Sequence, residues 1–306
     1  MTLAVYLATA VSAVVFIAAC VWRVVLFARS PLHLRWELYP VPHEAPERVA
    51  HGGSYFEQSE WWRHAPVSNL AGELAFMVPE MLFLHALRTF NRPLWYRSFP
   101  FHFGLYLLAG SLALLAGSVI AAPLAVSLAA ALSLLALLAG VAGLLSSIVG
   151  AIGLLHRRLT DRALQVSTTP GDIFNLVFFI GALALIGVGY AARPAGAPGA
   201  ATLLKGLLTW DLAVSVPTTV GLGIIASAAL VAYIPLTHMS HFIAKYFTYH
   251  SVRWDDEPLV HNERRARRIA EYLVYRPTWS APHIRGGESR TWAEVVAENP
   301  SQEPKA

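Results

Sequence analysis

Polar residues are spread very unevenly along this chain. Not one Asp, Glu, Lys or Arg occurs from Phe101 to Leu155. About 20 apolar residues cross a bilayer core as a helix, so that stretch alone predicts two crossings. The same pattern predicts spans over Leu3–Phe27, Phe101–Ala121, Pro123–Leu155, Asp172–Ala192 and Ala213–Tyr246. The turn between the second and third falls near Ala121–Pro123, where Pro breaks the run. Thr168-Thr169-Pro170-Gly171-Asp172 reads as a loop feeding a capped helix start. A further apolar stretch, Leu70–Phe90, contains Glu73, Pro79, Glu80 and His85. A charged group at the bilayer centre costs about 2.5–3.5 kcal/mol. That stretch is therefore expected to be an interfacial or protein-packed helix rather than a sixth crossing.

These spans define an all-α integral membrane bundle of five transmembrane helices, or six if Leu70–Phe90 also crosses. Residues 1–29 form the first transmembrane helix. Residues 30–99 form a docking loop with the interfacial helix, 100–247 a four-helix core, and 248–306 a tail. Within the loop, Trp36–Glu44 and Gly52–Glu57 combine Pro, Gly and aromatic residues, which suggests an ordered docking surface.

Composition agrees. Hydrophobic residues make up 56% of the chain and charged ones 14%, against about 25% charged in soluble domains. The single Cys, Cys20, excludes a disulfide framework, a cysteine-ligated zinc site and protein-held iron–sulfur clusters. No CxxCH occurs, which excludes covalent haem attachment. The first apolar run lacks a basic leader and is too long for a signal peptide, so it is expected to be a retained span.

Of the 23 Lys and Arg, 20 fall in Arg29–Arg97, in Arg157-Arg158-Arg162, or in the tail from Lys245. Arg193 and Lys205 fall elsewhere, and Arg23 lies inside the first span. Basic residues gather on the cytoplasmic side of a membrane. The expected placement is the bacterial or archaeal cytoplasmic (inner) membrane, with the N-terminus outside and the C-terminus cytoplasmic. The net charge of +4 is thus a topological signal and not a sign of nucleic-acid binding. The run Arg264-Arg265-Ala266-Arg267-Arg268 suits either membrane lipid headgroups or a cytoplasmic partner.

The candidate chemistry lies in the histidines. Between His102 and His241 the predicted chain crosses the membrane four times, so both sit at similar depth on one side. Neutral imidazoles on two facing helices suit axial ligation of a low-spin haem b. Gly104, Ala109 and Gly110 would let a flat macrocycle approach the backbone. An interfacial His is, however, more often simply hydrogen-bonded. His238, three residues before His241, shares its face if the helix continues. His85 and His156 lie near the same membrane face.

Several elements resemble one known family: Phe101-His102-Phe103-Gly104, Arg157-Arg158-Leu159 followed by Ser167-Thr168-Thr169-Pro170-Gly171-Asp172, and Pro235 followed by His241. The stretch from Phe101 to about Pro258 resembles the gamma subunit of respiratory nitrate reductase. The N-terminal elements at Glu37–Glu44 and Gly52–Glu57 look like the branch found in sulfate-reducer transmembrane and heterodisulfide-reductase-like complexes. The resemblance implies a membrane cytochrome b that moves electrons between the quinone (menaquinol) pool and a cytoplasmic iron–sulfur partner subunit. It implies His102 and His241 as the axial pair of the haem nearer the cytoplasm. The family's outer haem pair falls at Leu112 and Gly223, which cannot ligate iron. One haem b is therefore expected; a second would need His85 or His238. Arg157 and Arg158 are candidates to contact haem propionates, or are simply topogenic. Glu73 and Glu80 are candidates for proton handling near a quinone. The rival readings are a haem-free membrane anchor and, less favoured, a transporter.

Overall fold

The computed structural model describes residues 1–29, 70–244, 246–247, 263–280, 287 and 289–298. The expected docking elements at 36–44 and 52–57 lie outside the described residues, as does the chain over 248–262. Five helices are long and apolar enough to cross a membrane. They are α1 (Thr2–Arg29), α4 (Arg92–Ala121), α5 (Val126–Thr160), α7 (Pro170–Ala191) and the run Thr218–Leu236, whose α-helical part is α9 (Thr218–Tyr233). Shorter helices are α2 (Leu70–Phe83), α3 (His85–Phe90), α6 (Arg162–Gln165) and α8 (Ala200–Thr209). In the tail are α10 (Glu263–Leu273) and α11 (Trp292–Ala297). The chain is a multi-pass helical membrane protein.

The stretch Leu70–Phe90 is not one helix. It breaks at Leu84, whose φ of 51° is left-handed, a conformation uncommon for a non-glycine residue. The 14 residues of α2 rise only about 21 Å, short of the roughly 30 Å hydrocarbon core. The segment instead packs on α4. Trp95 Nε1 donates to the Phe83 carbonyl at 2.8 Å, and Tyr106 Oη donates to that of Met81 at 2.8 Å. Glu80 is a local cap here, its Oε2 accepting from Ala86 N at 2.8 Å. The Glu73 side chain lies outside the described residues.

Two other boundaries differ from expectation. The α4 helix begins at Arg92 rather than at Phe101, capped by the Asn91 side chain with Pro93 in its first turn, so His102 sits well inside a helix. Arg92 and Arg97 extend the helix beyond the apolar run because polar residues are free to be helical outside hydrocarbon. The last span is not continuous to Tyr246. Pro235 ends α9, and two 3-10 turns follow, Ile234–Leu236 and His238–Ser240.

The contact-dense unit comprises Met1–Arg23 and Ala71–His241. Its main seam joins α4 to α5 through small residues. A Cβ on Gly104 would run into Ser147 and the Gly143 carbonyl, and one on Gly150 into the backbone of Phe101. Helices inside a bilayer gain nothing by hiding apolar surface from lipid, so close backbone approach through small residues is what holds them together. The core beside this seam is Phe101, Ala151, Phe179, Ala182, Leu183 and Leu230. A second core joins the start of α1 to α8 and α9 through Val5, Tyr6, Leu203, Val216 and Val220. Thr2 Oγ1 and Tyr6 Oη donate there to the Val214 and Asp211 carbonyls, each at 3.1 Å.

The other unit holds Val24–Leu70 and Phe242–Ala306. Among its described residues, Phe27 and Phe247 rings lie 5.8 Å apart. Trp279 and Trp292 meet edge to face, and Trp292 N donates to the Tyr275 carbonyl at 2.9 Å. The α11 helix starts with a Thr291–Glu294 capping box.

The α4–α5 seam yields a direct test. Gly150→Ala forces the helices apart and is expected to cost about 1–3 kcal/mol, the usual penalty for overpacking. Gly110→Ala and Gly181→Ala meet nothing within 4 Å and are expected to be neutral. Thermal unfolding of the purified variants in one detergent would separate them; equal midpoints would refute the seam.

Candidate functional site

The site is built where α4 and the end of the last span meet. His102 is half-buried on α4. Its Nδ1 lies 2.8 Å from the Ser98 carbonyl one turn earlier and 3.3 Å from Ser98 Oγ. A carbonyl can only accept, so Nδ1 carries the proton and Nε2 presents its lone pair away from the helix backbone. The His241 ring stands 6.0 Å from that of His102, centroid to centroid, with the planes inclined at 69°. Phe101 stands edge-on to His102 at 5.3 Å and to Phe179 at 5.0 Å. The two histidines predicted to share depth and side are thus adjacent.

His238 goes elsewhere. The expectation that it shares a helix face with His241 fails because Thr237 is extended, with φ −112° and ψ −176°. Thr237 Oγ1 then accepts from Met239 N at 3.3 Å and restarts the chain as a 3-10 turn. The His238 side chain is largely exposed, with Nε2 3.5 Å from Asp172 Oδ1 and 3.4 Å from Asn175 Nδ2. That nitrogen accepts from Asn175 when unprotonated and donates to Asp172 when protonated, so one proton decides which contact is made. Asn175 is buried at 5% exposure, and its Oδ1 accepts from Tyr233 Oη at 2.8 Å. Phe174 and Phe178 flank the Tyr233 ring.

Asp172 anchors this polar cluster. The capped helix start expected before α7 is a capping box, with Thr169 Oγ1 accepting from Asp172 N and Asp172 Oδ2 accepting from Thr169 N at 2.9 Å. Arg158 Nη1 lies 3.7 Å from Asp172 Oδ2 and 3.5 Å from Thr168 Oγ1. Arg157 pairs at 3.5 Å with Asp161, four residues on. Arg158 therefore ties the end of α5 to the start of α7. His85 opens α3 and His156 lies on α5; both are exposed. Among the described residues no group of three or more His, Cys, Asp or Glu is arranged to hold a metal ion. The pair His102–His241 is a different arrangement, two nitrogen donors and no carboxylate.

Sequence reasoning missed three contributors: Ser98, Asn175 and Tyr233. Ser98 precedes His102 by four residues, a spacing that local helix geometry makes visible. Asn175 is an uncharged polar residue in an otherwise apolar turn, which is a weak signal. Tyr233 gave none.

Fold and site together define a multi-pass helical membrane protein with a paired-histidine site at one end of its bundle. Residues 89–255, more than half of the 306-residue chain, match the family model described as nitrate reductase gamma subunit. The chain belongs to this family, which comprises membrane cytochrome b-type electron-transfer subunits. Comparison with curated proteins and with solved structures finds no match.

The Asp172 cluster predicts a stability effect separate from any redox role. Asp172→Ala removes half a capping box and the anion facing Arg158 and His238. The expected loss is about 1–2 kcal/mol, seen as a lower thermal midpoint, while Asp161→Ala is expected to cost less because Asp161 caps only the four-residue α6 and its pair with Arg157 is partly exposed. Equal midpoints for Asp172→Ala and the parent would refute the anchoring role.

Proposed function

We propose that this protein is the haem b subunit of a membrane electron-transfer complex. Its work is to pass electrons between the quinone pool and a cytoplasmic iron–sulfur partner subunit. His102 and His241 would hold the haem iron. The observation that carries this is the 6.0 Å between their ring centres. Two imidazole nitrogen donors brought this close from separate helical segments would suit the ligation of a single haem iron. The protonation fixed on His102 Nδ1 by the Ser98 carbonyl supports the same assignment, because metal-ligating histidines commonly donate their second nitrogen to such an acceptor. When bound, the haem supplies a one-electron relay whose two imidazole ligands leave no open position for oxygen.

The chain's own contribution is orientation and insulation. Ser98 sets the tautomer and plane of His102. Phe101 and Phe179 wall the site with apolar surface, which lowers the local dielectric. His238, held toward Asp172 and Asn175, is left out of the axial pair, and so is exposed His85. Arg158 is committed to Thr168 and Asp172 and Arg157 to Asp161, which favours topogenic and tethering roles for them over contacts with propionates. The basic residues of α10 are proposed to face the cytoplasm, where lipid headgroups or the partner meets them, with the N-terminus outside.

The test is a reduced-minus-oxidised spectrum with haem counted per chain. The parent is expected to hold one low-spin haem b. His102→Ala and His241→Ala are expected to lose it, and His238→Ala and His85→Ala to keep it. Full haem content in His102→Ala would overturn the assignment. Colourless parent protein would favour a haem-free anchor subunit.

A further inference from the structure

Arg23 is the only charged side chain between Met1 and Arg29 in the sequence. A guanidinium on an apolar helix is expensive unless something nearby needs it. What needs it is the break in the last span. Arg23 Nε donates to the Pro235 carbonyl at 3.1 Å. Its Nη2 donates to the carbonyls of Leu236 at 3.2 Å and Thr237 at 3.5 Å.

In an unbroken helix those three carbonyls would accept from the amides of Met239, Ser240 and His241. Here Met239 N turns to Thr237 Oγ1, and Ser240 N reaches only Thr237 O, at 3.2 Å. The Pro235 and Leu236 carbonyls are thereby released from the helix ladder. Backbone at membrane depth cannot be left unsatisfied, and irregular backbone persists there only where protein supplies the missing partners. One planar guanidinium with a rigid fork of donors serves three consecutive carbonyls, which a single ammonium does poorly.

We infer that Arg23 is a positioning residue for His241. It holds the Pro235–Thr237 break in the one shape that aims His241 toward His102 and His238 away, toward Asp172. The first span, which lies outside the family-matched residues 89–255, is therefore a working part of the paired-histidine site and more than a membrane anchor. The redox consequence rests on the haem reading above; the backbone consequence does not.

The experiment compares the purified full-length parent with Arg23→Met and Arg23→Lys. Amide hydrogen exchange is followed over 234–241, together with haem content, the low-spin electron paramagnetic resonance signature and the midpoint potential. Losing hydrogen bonds to a charged group is expected to speed exchange over 234–241 in Arg23→Met by about tenfold or more, with the α4–α5 seam unchanged. Arg23→Lys is expected to fall between. In the haem-loaded protein, Arg23→Met is expected to shift the resonance signature, which reports imidazole orientation, and to lower the potential through loss of a cation; Arg23→Lys keeps the cation and is expected to restore the potential but not the signature. Unchanged exchange and an unchanged signature in Arg23→Met would overturn the inference and leave the haem reading intact. If the parent carries no haem, that reading falls and exchange alone decides the role of Arg23. If Arg23→Met does not accumulate, Arg23→Lys decides by the same measurements, parent-like exchange and signature counting against.

Discussion

Every backbone amide and carbonyl at membrane depth must find a partner within the protein, and the rest of this structure is arranged around that demand. A regular helix meets it residue by residue, which is why the described core is five long apolar helices. Among the described spans this regularity is broken at the end of the last one, where Pro235 cannot donate and Thr237 is extended. Three carbonyls emerge there, and Arg23 takes them all. The gain is directional. A straight helix would put His238 and His241 on one face; the broken one sends one imidazole to Asp172 and the other to His102.

The paired site also depends on how closely α4 approaches α5. Gly104, Gly143 and Gly150 bring the two backbones together, and Ser147, fully buried between them, donates to the Phe101 carbonyl at 3.4 Å. That contact fixes the rotation of α4 about its axis at the residue next to His102. Rotation of a helix by one residue, about 100°, would carry His102 off the facing chain altogether. The seam therefore sets where His102 points, while Ser98 sets how its ring is turned.

Much of this was legible from the residues alone. Charge-free runs located the spans because hydrocarbon excludes charge, and the parity of crossings put His102 and His241 at one end without any knowledge of packing. The capped start within Thr168–Asp172 was readable because capping is a local contact over three residues. The break after α9 was not. Pro235 marked a weak point, but Pro in a membrane helix is often accommodated, and the partner that stabilises the break lies 212 residues earlier in sequence. Leu84 was equally opaque, since nothing in a Leu side chain announces a left-handed backbone. Local rules expose local contacts; the long-range hydrogen bonds that re-aim His238 leave no trace in spacing.

The half of the bundle away from the histidines carries the clearest difference from the two-haem pattern that the family resemblance implies. Leu112, at one of the outer ligand positions, is 59% exposed. Gly223, at the other, lies in a backbone contact: a Cβ there would meet Ile186 Cα at 2.5 Å and Ile186 N at 2.9 Å. Gly189 makes the reciprocal approach, where a Cβ would strike the Thr219 carbonyl. Two glycines thus draw α7 and α9 together where an imidazole on α9 would have to project. A missing ligand can be restored by one substitution, but a backbone contact cannot, because any side chain at 223 must first push two helices apart. Under the proposed single-haem reading, this closure would leave the His102–His241 pair as the one redox centre, with no second centre to bridge the membrane. The polar cluster of His238, Asp172, Asn175 and Tyr233 lies toward the same end of the bundle.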